Sequence, residues 1–145
     1  MKRRFVRDRG RGQALVEFAL IIPIFLLVVL GLFDLGRAVL YHSTLSNASR
    51  EAVRLAIVDQ NPAAIRTRAV DGAAALMHVD PADVVITHLD PALGTTAPCS
   101  VAPFEVGCVV KVEVSYDFFP ATPFVGQMTL RAETHQPIER RYASP

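Results

Sequence analysis

The chain lacks the residue patterns that enzymes and metal proteins need. Its 145 residues contain no HExxH motif, no glycine-rich phosphate loop and no GxSxG elbow. Asp80, Asp83 and Asp90 are spaced unlike a calcium loop and are typical of turns and caps. The four histidines are scattered along the chain at His42, His78, His88 and His135. We therefore expect no catalytic residue, no metal and no cofactor, and a membrane-anchored hydrolase has no support in the sequence.

Charge is almost absent from Ala14 to Phe33, where Glu17 is the one charged side chain. A helix of this length covers roughly 30 Å, the thickness of a bilayer's hydrocarbon core. A secretory signal peptide is the competing interpretation, but its apolar core is only about 7–15 residues long. Here the run is longer, and Asp34–Tyr41 reads as continuing helix. We expect a retained transmembrane helix over residues 13–36, with the bilayer as its first partner.

Basic residues are concentrated ahead of this apolar run. Six of them against Asp8 give residues 1–12 a formal charge of +5, and because the whole chain is +1, the remainder is −4. The positive-inside rule predicts a cytoplasmic leader over residues 1–12 and an exported part over residues 37–145. A short basic stretch beside a membrane span, with no basic face downstream, does not indicate nucleic-acid binding.

Beyond Asp34 the apolar residues recur at spacings of three and four, so the first helix is expected to run from Gln13 to about Val58. Its length would be roughly 65–70 Å, too long for a small domain to bury. Pro23 lies inside it, and we expect a local kink there. Asp34 marks the expected membrane exit, with Arg37 as a candidate partner.

The remainder is expected to form one small α+β domain. Asn61 is a candidate N-cap and Pro62 suits the first turn of a second helix that ends near Met77. Alternating apolar and polar residues then predict three strands, around Val84–Leu89, Val110–Phe118 and Met128–Glu133. The predicted architecture is a long N-terminal transmembrane helix that continues into a domain with a second helix and a roughly three-stranded antiparallel sheet.

Both cysteines lie in the part expected to be exported. Cys99 and Cys108 form an even count in an oxidising compartment, which favours a disulfide. Two reduced thiols and a metal site are the alternatives, and no further ligand at suitable spacing supports the metal.

Gly12 and Glu17 together have a mechanistic interpretation. If a membrane peptidase cuts after Gly12, the new chain begins at Gln13, and Glu17 becomes its fifth residue, about one turn into an apolar helix. In a bundle of staggered helices, Glu17 could then pair with the terminal amine of a neighbouring chain, which offsets part of the cost of desolvating both charges. The pairing would set the vertical register between helices. The alternative is that Glu17 lies at the interface, where it snorkels to the headgroups or is neutralised by Arg11.

The segment Gly12-Gln13-Ala14-Leu15-Val16-Glu17-Phe18 resembles the cleavage segment of type IV pilin-like proteins, which a prepilin peptidase processes. Its continuation to Pro23 resembles the TadE-like family of the tight-adherence (Tad, or Flp) pilus apparatus. Two later segments share this resemblance, Asp34-Leu35-Gly36-Arg37-Ala38 and Asn47-Ala48-Ser49-Arg50-Glu51-Ala52-Val53-Arg54.

The resemblance implies a minor pilin or pseudopilin of a type IVb-like fibre used in adhesion or secretion. Gly12 and Gln13 would then flank the cleavage site, and Glu17 and Phe18 would act in assembly. The implied partners are a prepilin peptidase and other pilin-like or Tad subunits. The implied location is the bacterial inner membrane, with a cytoplasmic N-terminus, an extracytoplasmic domain and incorporation into a pilus. The alternative function is an uncleaved single-pass accessory or scaffolding protein of the same apparatus.

Overall fold

A computed structural model describes residues 9–90, 99 and 107–138 of the chain. The first helix, α1, spans Arg9–Ala56 and contains 48 residues. It starts one turn before the expected Gln13 and ends two residues before Val58. The helix is continuous through Pro23, so the kink expected there stays a prediction. Residues 1–8 of the predicted leader lie outside the described residues.

The two halves of α1 have different surroundings. Residues 12–33 are almost entirely exposed, and their segment is long and apolar enough to cross a membrane. From Asp34 onward the helix acquires a buried face, which includes Leu45, Ala48 and Ala52 as the 3.6-residue periodicity predicted. One uninterrupted helix therefore supplies both a candidate membrane span and one wall of the core.

The second helix, α2, spans Pro62–Ala73 and returns along α1. The side-chain oxygen of Asn61 accepts a hydrogen bond from Ala63 N at 3.0 Å, and Pro62 occupies the first turn, so the predicted cap is confirmed. The helix ends four residues before the expected Met77, because residues 74–77 turn back and hydrogen-bond to the carbonyls of Asp71 and Ala73.

Three antiparallel strands follow in the order β1-β2-β3, which confirms the predicted α+β architecture. A short 3-10 turn over Pro81–Asp83 leads into β1, Val84–Leu89. Strands β2 and β3 span Val109–Phe118 and Met128–Pro137. Strand β3 runs four residues beyond the predicted Glu133, because β2 is ten residues long and pairs with it along its whole length, from Val109↔Pro137 to Phe118↔Met128.

The core lies between one face of the sheet and the two helices. Strand β2 contributes Val110, Val112 and Val114, each with no exposed surface, as its alternation predicted. Ser49 is a fully buried polar residue on α1. Its hydroxyl contacts the carbonyl oxygen of Ser46 at 3.0 Å and the hydroxyl of Thr134 on β3 at 2.8 Å, so its hydrogen-bonding capacity is used.

The opposite face of the sheet carries paired charges. Lys111 lies between Glu113 and Glu133, and Arg131 contacts Glu113 at 3.6 Å. Hydrogen bonding to Glu133 raises the pKa of Lys111, and the same contact lowers the pKa of Glu133. This face is therefore a cross-strand ion-pair network, with two charges of each sign.

Cys99 and Cys108 are joined by a disulfide, and their Cα atoms are 6.1 Å apart. Cys99 N donates a hydrogen bond to the carbonyl of His88 near the end of β1. The carbonyl of Cys108 accepts from Ile138 N, just after β3. The disulfide therefore closes a loop within the connection between β1 and β2.

We expect removal of this disulfide to destabilise the domain. Replacing both residues with serine, Cys99→Ser with Cys108→Ser, should lower the free energy of unfolding by about 2–3 kcal/mol, because the unfolded chain regains the entropy of an open loop. Urea unfolding of the full chain in mild detergent, followed by tyrosine near-ultraviolet circular dichroism, measures the loss. Dithiothreitol should weaken the parent protein similarly and leave the double variant unchanged; equal stability of parent and variant would contradict the expectation.

The helices α1 and α2 approach each other closely at Gly72. A Cβ atom added there would lie 3.1 Å from the Cα of Ala48, closer than such atoms normally come. Gly72→Leu should therefore force the helices apart and cost about 1–3 kcal/mol or more. The same unfolding measurement tests this, with Ala75→Leu on the exposed turn as the control, expected to stay within about 0.5 kcal/mol of the parent. Equal effects of the two substitutions would show that the close approach is not a constraint.

Candidate assembly site

The first candidate site is the N-terminal end of α1. Gly12, Gln13, Glu17 and Phe18 are all helical and exposed. The side-chain amide of Gln13 donates a hydrogen bond to Oε1 of Glu17 at 3.4 Å, as the spacing of four residues allows. The structure thus brings the Gln13 and Glu17 side chains together on one face.

Glu17 is a carboxylate surrounded by exposed apolar side chains. Leu15, Val16, Phe18 and Leu20 all have most of their surface exposed. Within the described part of the chain, the hydrogen bond from Gln13 is the contact that Glu17 makes. The alternative of neutralisation by Arg11 involves a side chain outside the described residues. A carboxylate in such surroundings is costly to place in a membrane, on the order of 2.5–3.5 kcal/mol at the centre of a bilayer and less near its surface.

The bond between Gly12 and Gln13 lies in the first turn and a half of the helix. The described part of α1 starts at Arg9, so this bond lies close to the N-terminal end of the described helix. Exposing this bond to a peptidase in extended form would require only the first helical turns to unwind. Gly12 has nothing within 4 Å of a hypothetical Cβ, so no other part of the described chain covers it.

The second site is a buried carboxylate at the other end of the apolar run. Asp34 accepts hydrogen bonds from Ala121 N at 2.8 Å, from Thr122 N at 2.7 Å and from the Thr122 hydroxyl at 2.6 Å. These donors belong to the connection between β2 and β3. Asp34 therefore fastens this connection, residues 119–127, to the helix where the apolar run ends.

Aromatic residues extend this contact along the helix. The guanidinium of Arg37 contacts Asp34 at 3.7 Å and lies over the rings of Tyr41 and Phe118, 5.6 and 5.3 Å from their centroids. Tyr41 in turn makes edge-to-face contacts with Tyr116 and Phe118. Such contacts stabilise by about 0.5–1.5 kcal/mol each. The membrane-proximal end of the sheet is thus packed on one turn of α1.

The sequence indicated Arg37 as a partner of Asp34 but missed Thr122, the stronger one. The partners are 88 residues apart, and no local periodicity connects them. The signal that could have found the contact is the Pro120-Ala121-Thr122-Pro123 segment, whose turn leaves backbone N–H groups in need of an acceptor.

Each of the two sites has one carboxylate, Glu17 in the first and Asp34 in the second. Among residues 9–90, 99 and 107–138, no group of three or more His, Cys, Asp or Glu side chains is close enough to hold a metal ion. The carboxylates bind backbone and side-chain donors of their own chain. What the arrangement can do is hold the domain on the helix and present an apolar helical surface with one carboxylate.

Fold and site together define a class of protein with one apolar helix suited to membrane anchoring and a small α+β domain fixed on its far half. Residues 12–54 match the family model of the TadE-like protein, which confirms the resemblance seen in the sequence. No curated protein and no solved structure matches the chain. TadE-like proteins are a structural and assembly family of the Tad pilus.

The Asp34 contact yields a direct test. Asp34→Ala removes the acceptor for Ala121 N and Thr122 N, so hydrogen exchange at these two amides should accelerate while exchange in β2 stays slow. Mass spectrometry of peptides covering residues 119–127 measures this. Asp34→Asn, which keeps one acceptor oxygen, should give an intermediate rate, and Asp71→Ala on the exposed side of α2 is the control. Unchanged exchange in Asp34→Ala would mean that the connection is held by other contacts.

Proposed function

We propose that this protein is a minor pilin or pseudopilin that takes part in assembling a Tad/Flp-type, type IVb-like pilus. The observation that carries the proposal is the N-terminal half of α1. It is a helical apolar surface that the described residues leave uncovered, with one carboxylate five residues after Gly12.

The uncovered surface supports assembly through helices. The described part of the domain packs on the helix from Asp34 onward, which leaves residues 12–33 available to lipid or to other helices. In lipid, helices associate through close packing and polar contacts rather than through the hydrophobic effect. A bundle of such helices therefore needs a polar contact to fix its register, and Glu17 is the polar side chain available.

Processing at Gly12 would supply the partner for Glu17. A cut before Gln13 removes the basic leader and creates a positive α-amine one turn before the carboxylate. At a helix N-terminus this positive charge is disfavoured within its own chain. Pairing with Glu17 of a neighbouring chain gives both charges a partner and sets the vertical offset between the two helices. Prepilin peptidase and other pilin-like subunits are the partners that this mechanism requires.

Intact-mass measurement of the membrane-extracted protein, in cells with and without prepilin peptidase, tests the processing step. We expect a chain that begins at Gln13 only when the peptidase is present. Gly12→Arg should keep the leader, whereas the control Gly10→Ala should be cut like the parent. A parent chain that retains residues 1–12 in both cells would overturn the pilin proposal. It would favour the uncleaved accessory or scaffolding protein of the same apparatus.

The role of Glu17 is tested by Glu17→Leu. We expect the variant to insert into the membrane at least as well as the parent, because a charge is removed from the apolar run, and to be lost from sheared pilus fractions. Carbonate extraction measures insertion into the membrane. Immunoblotting of the membrane fraction and of the sheared pilus fraction measures incorporation into the fibre. Val16→Leu, which leaves both the carboxylate and Phe18 in place, is the matched control. Normal incorporation of Glu17→Leu would exclude the pairing role while leaving processing at Gly12 untouched.

A further inference from the structure

The connection between β2 and β3 is apolar and exposed. No charged residue occurs between Asp117 and Arg131, a stretch of thirteen residues. Within it, Phe124 is 82% exposed and Phe119 is 63% exposed, and Val125 and Met128 also present apolar surface. An aromatic side chain exposed to this degree on an uncharged loop is a feature of interaction surfaces rather than of ordinary solvent-facing turns.

Among the described residues of the domain, this connection lies at the end nearest the candidate span. Strand β3 contacts α1 through Thr134 and Ser49, well above Asp34 along the helix. Strand β2 descends from there, and Phe118 at its end lies beside Arg37 and Tyr41. Ala121 and Thr122 then reach Asp34 itself, one residue after the apolar run ends at Phe33.

The exposed side chains of this connection lie close to Asp34. Val125 N donates to the carbonyl of Thr122 at 3.2 Å, which closes a tight turn around Pro123 and Phe124. Two residues of chain span at most about 7 Å, so Phe124 lies within a short distance of the helix at Asp34. Phe33, the last residue of the apolar run and the neighbour of Asp34 in the chain, is itself 63% exposed.

Two backbone N–H groups of the connection have an acceptor beside the helix, which suits an environment poor in water. Open N–H groups are costly near the hydrocarbon region, where water is not available to bind them. Asp34 accepts from the N–H groups of Ala121 and Thr122, and Pro120 and Pro123 have no N–H group. The segment thus exposes apolar side chains while its backbone donors beside the helix are satisfied.

We propose that residues 119–128 form a second membrane contact, with Phe124 and Val125 inserted in the interfacial region of the bilayer that α1 crosses. The occupant of this surface is lipid of the leaflet on the domain's side. A second copy of the chain would leave the position of this surface, beside the helix where the apolar run ends, without explanation. The contact fixes the domain against the membrane surface at a point beside the helix, so the domain is held at two places. The proposal requires α1 to span the membrane and holds whether or not the leader is removed.

The absence of tryptophan from the chain provides a clean probe. Three single-tryptophan variants of the full chain, Phe124→Trp, Phe25→Trp and Val58→Trp, are reconstituted in phosphatidylcholine vesicles with and without brominated acyl chains. Phe25 lies within the apolar run and reports insertion of the helix. Val58 is exposed just beyond the far end of α1, roughly 35 Å along the helix axis from Asp34, and reports solvent.

We expect Phe124→Trp to emit at shorter wavelength in vesicles and to lose most of its fluorescence in brominated lipid, like Phe25→Trp, while Val58→Trp is unaffected. Val125→Trp should behave like Phe124→Trp, which guards against a local defect in one variant. Quenching of Phe25→Trp alone would overturn the lipid contact and leave the membrane span and the pilin proposal standing. Quenching of none of the variants would overturn the contact together with the span. A wavelength shift in Phe124→Trp that follows the protein-to-lipid ratio, without bromine quenching, would assign the surface to a second copy and overturn the proposal.

Discussion

One continuous helix has to satisfy two different environments, and the rest of the structure depends on how it does so. The half of α1 up to Phe33 is exposed among the residues that the structure describes, whereas the half from Asp34 to Ala56 is one wall of a packed core. The change takes place within a single turn. Asp34 is the residue at which the apolar run ends and the domain begins. Its side chain is nearly inaccessible and accepts hydrogen bonds from the connection that follows β2.

Local patterns in the sequence were sufficient to predict the helices and strands and most of the core residues. The period of 3.6 residues marked the buried face of α1, the Asn-Pro pair marked the start of α2, and strict alternation marked β2. In each case the pattern arises because one side of the element is buried and the other is not. The strand ends were less well predicted: Gln136 and Pro137 have no apolar alternation and join β3 only because β2 extends far enough to pair with them.

The two sites differ in how far they could be predicted. The N-terminal site is local, since Gly12, Gln13 and Glu17 lie within six residues and a helix places the last two on one face. The contact at Asp34 is not local, because it is made by a turn that follows the β2 strand and reaches the helix only after the sheet has formed. A buried acidic side chain near Arg37 suggests an ion pair, and only the folded chain reveals that backbone N–H groups are its closer partners.

The continuity of α1 also has a rotational consequence. Each residue of an α-helix turns the direction of its side chain by about 100°, so Glu17 and Asp34, seventeen residues apart, point about a quarter-turn from one another around the same axis. Because no loop interrupts the helix between them, this angle is built into the chain. Any contact that fixes the azimuth of Glu17 in a bundle therefore also fixes the direction in which the charged face of the sheet points. Inserting a single residue between them would turn the whole domain by a little more than a right angle, with every contact inside the domain left intact.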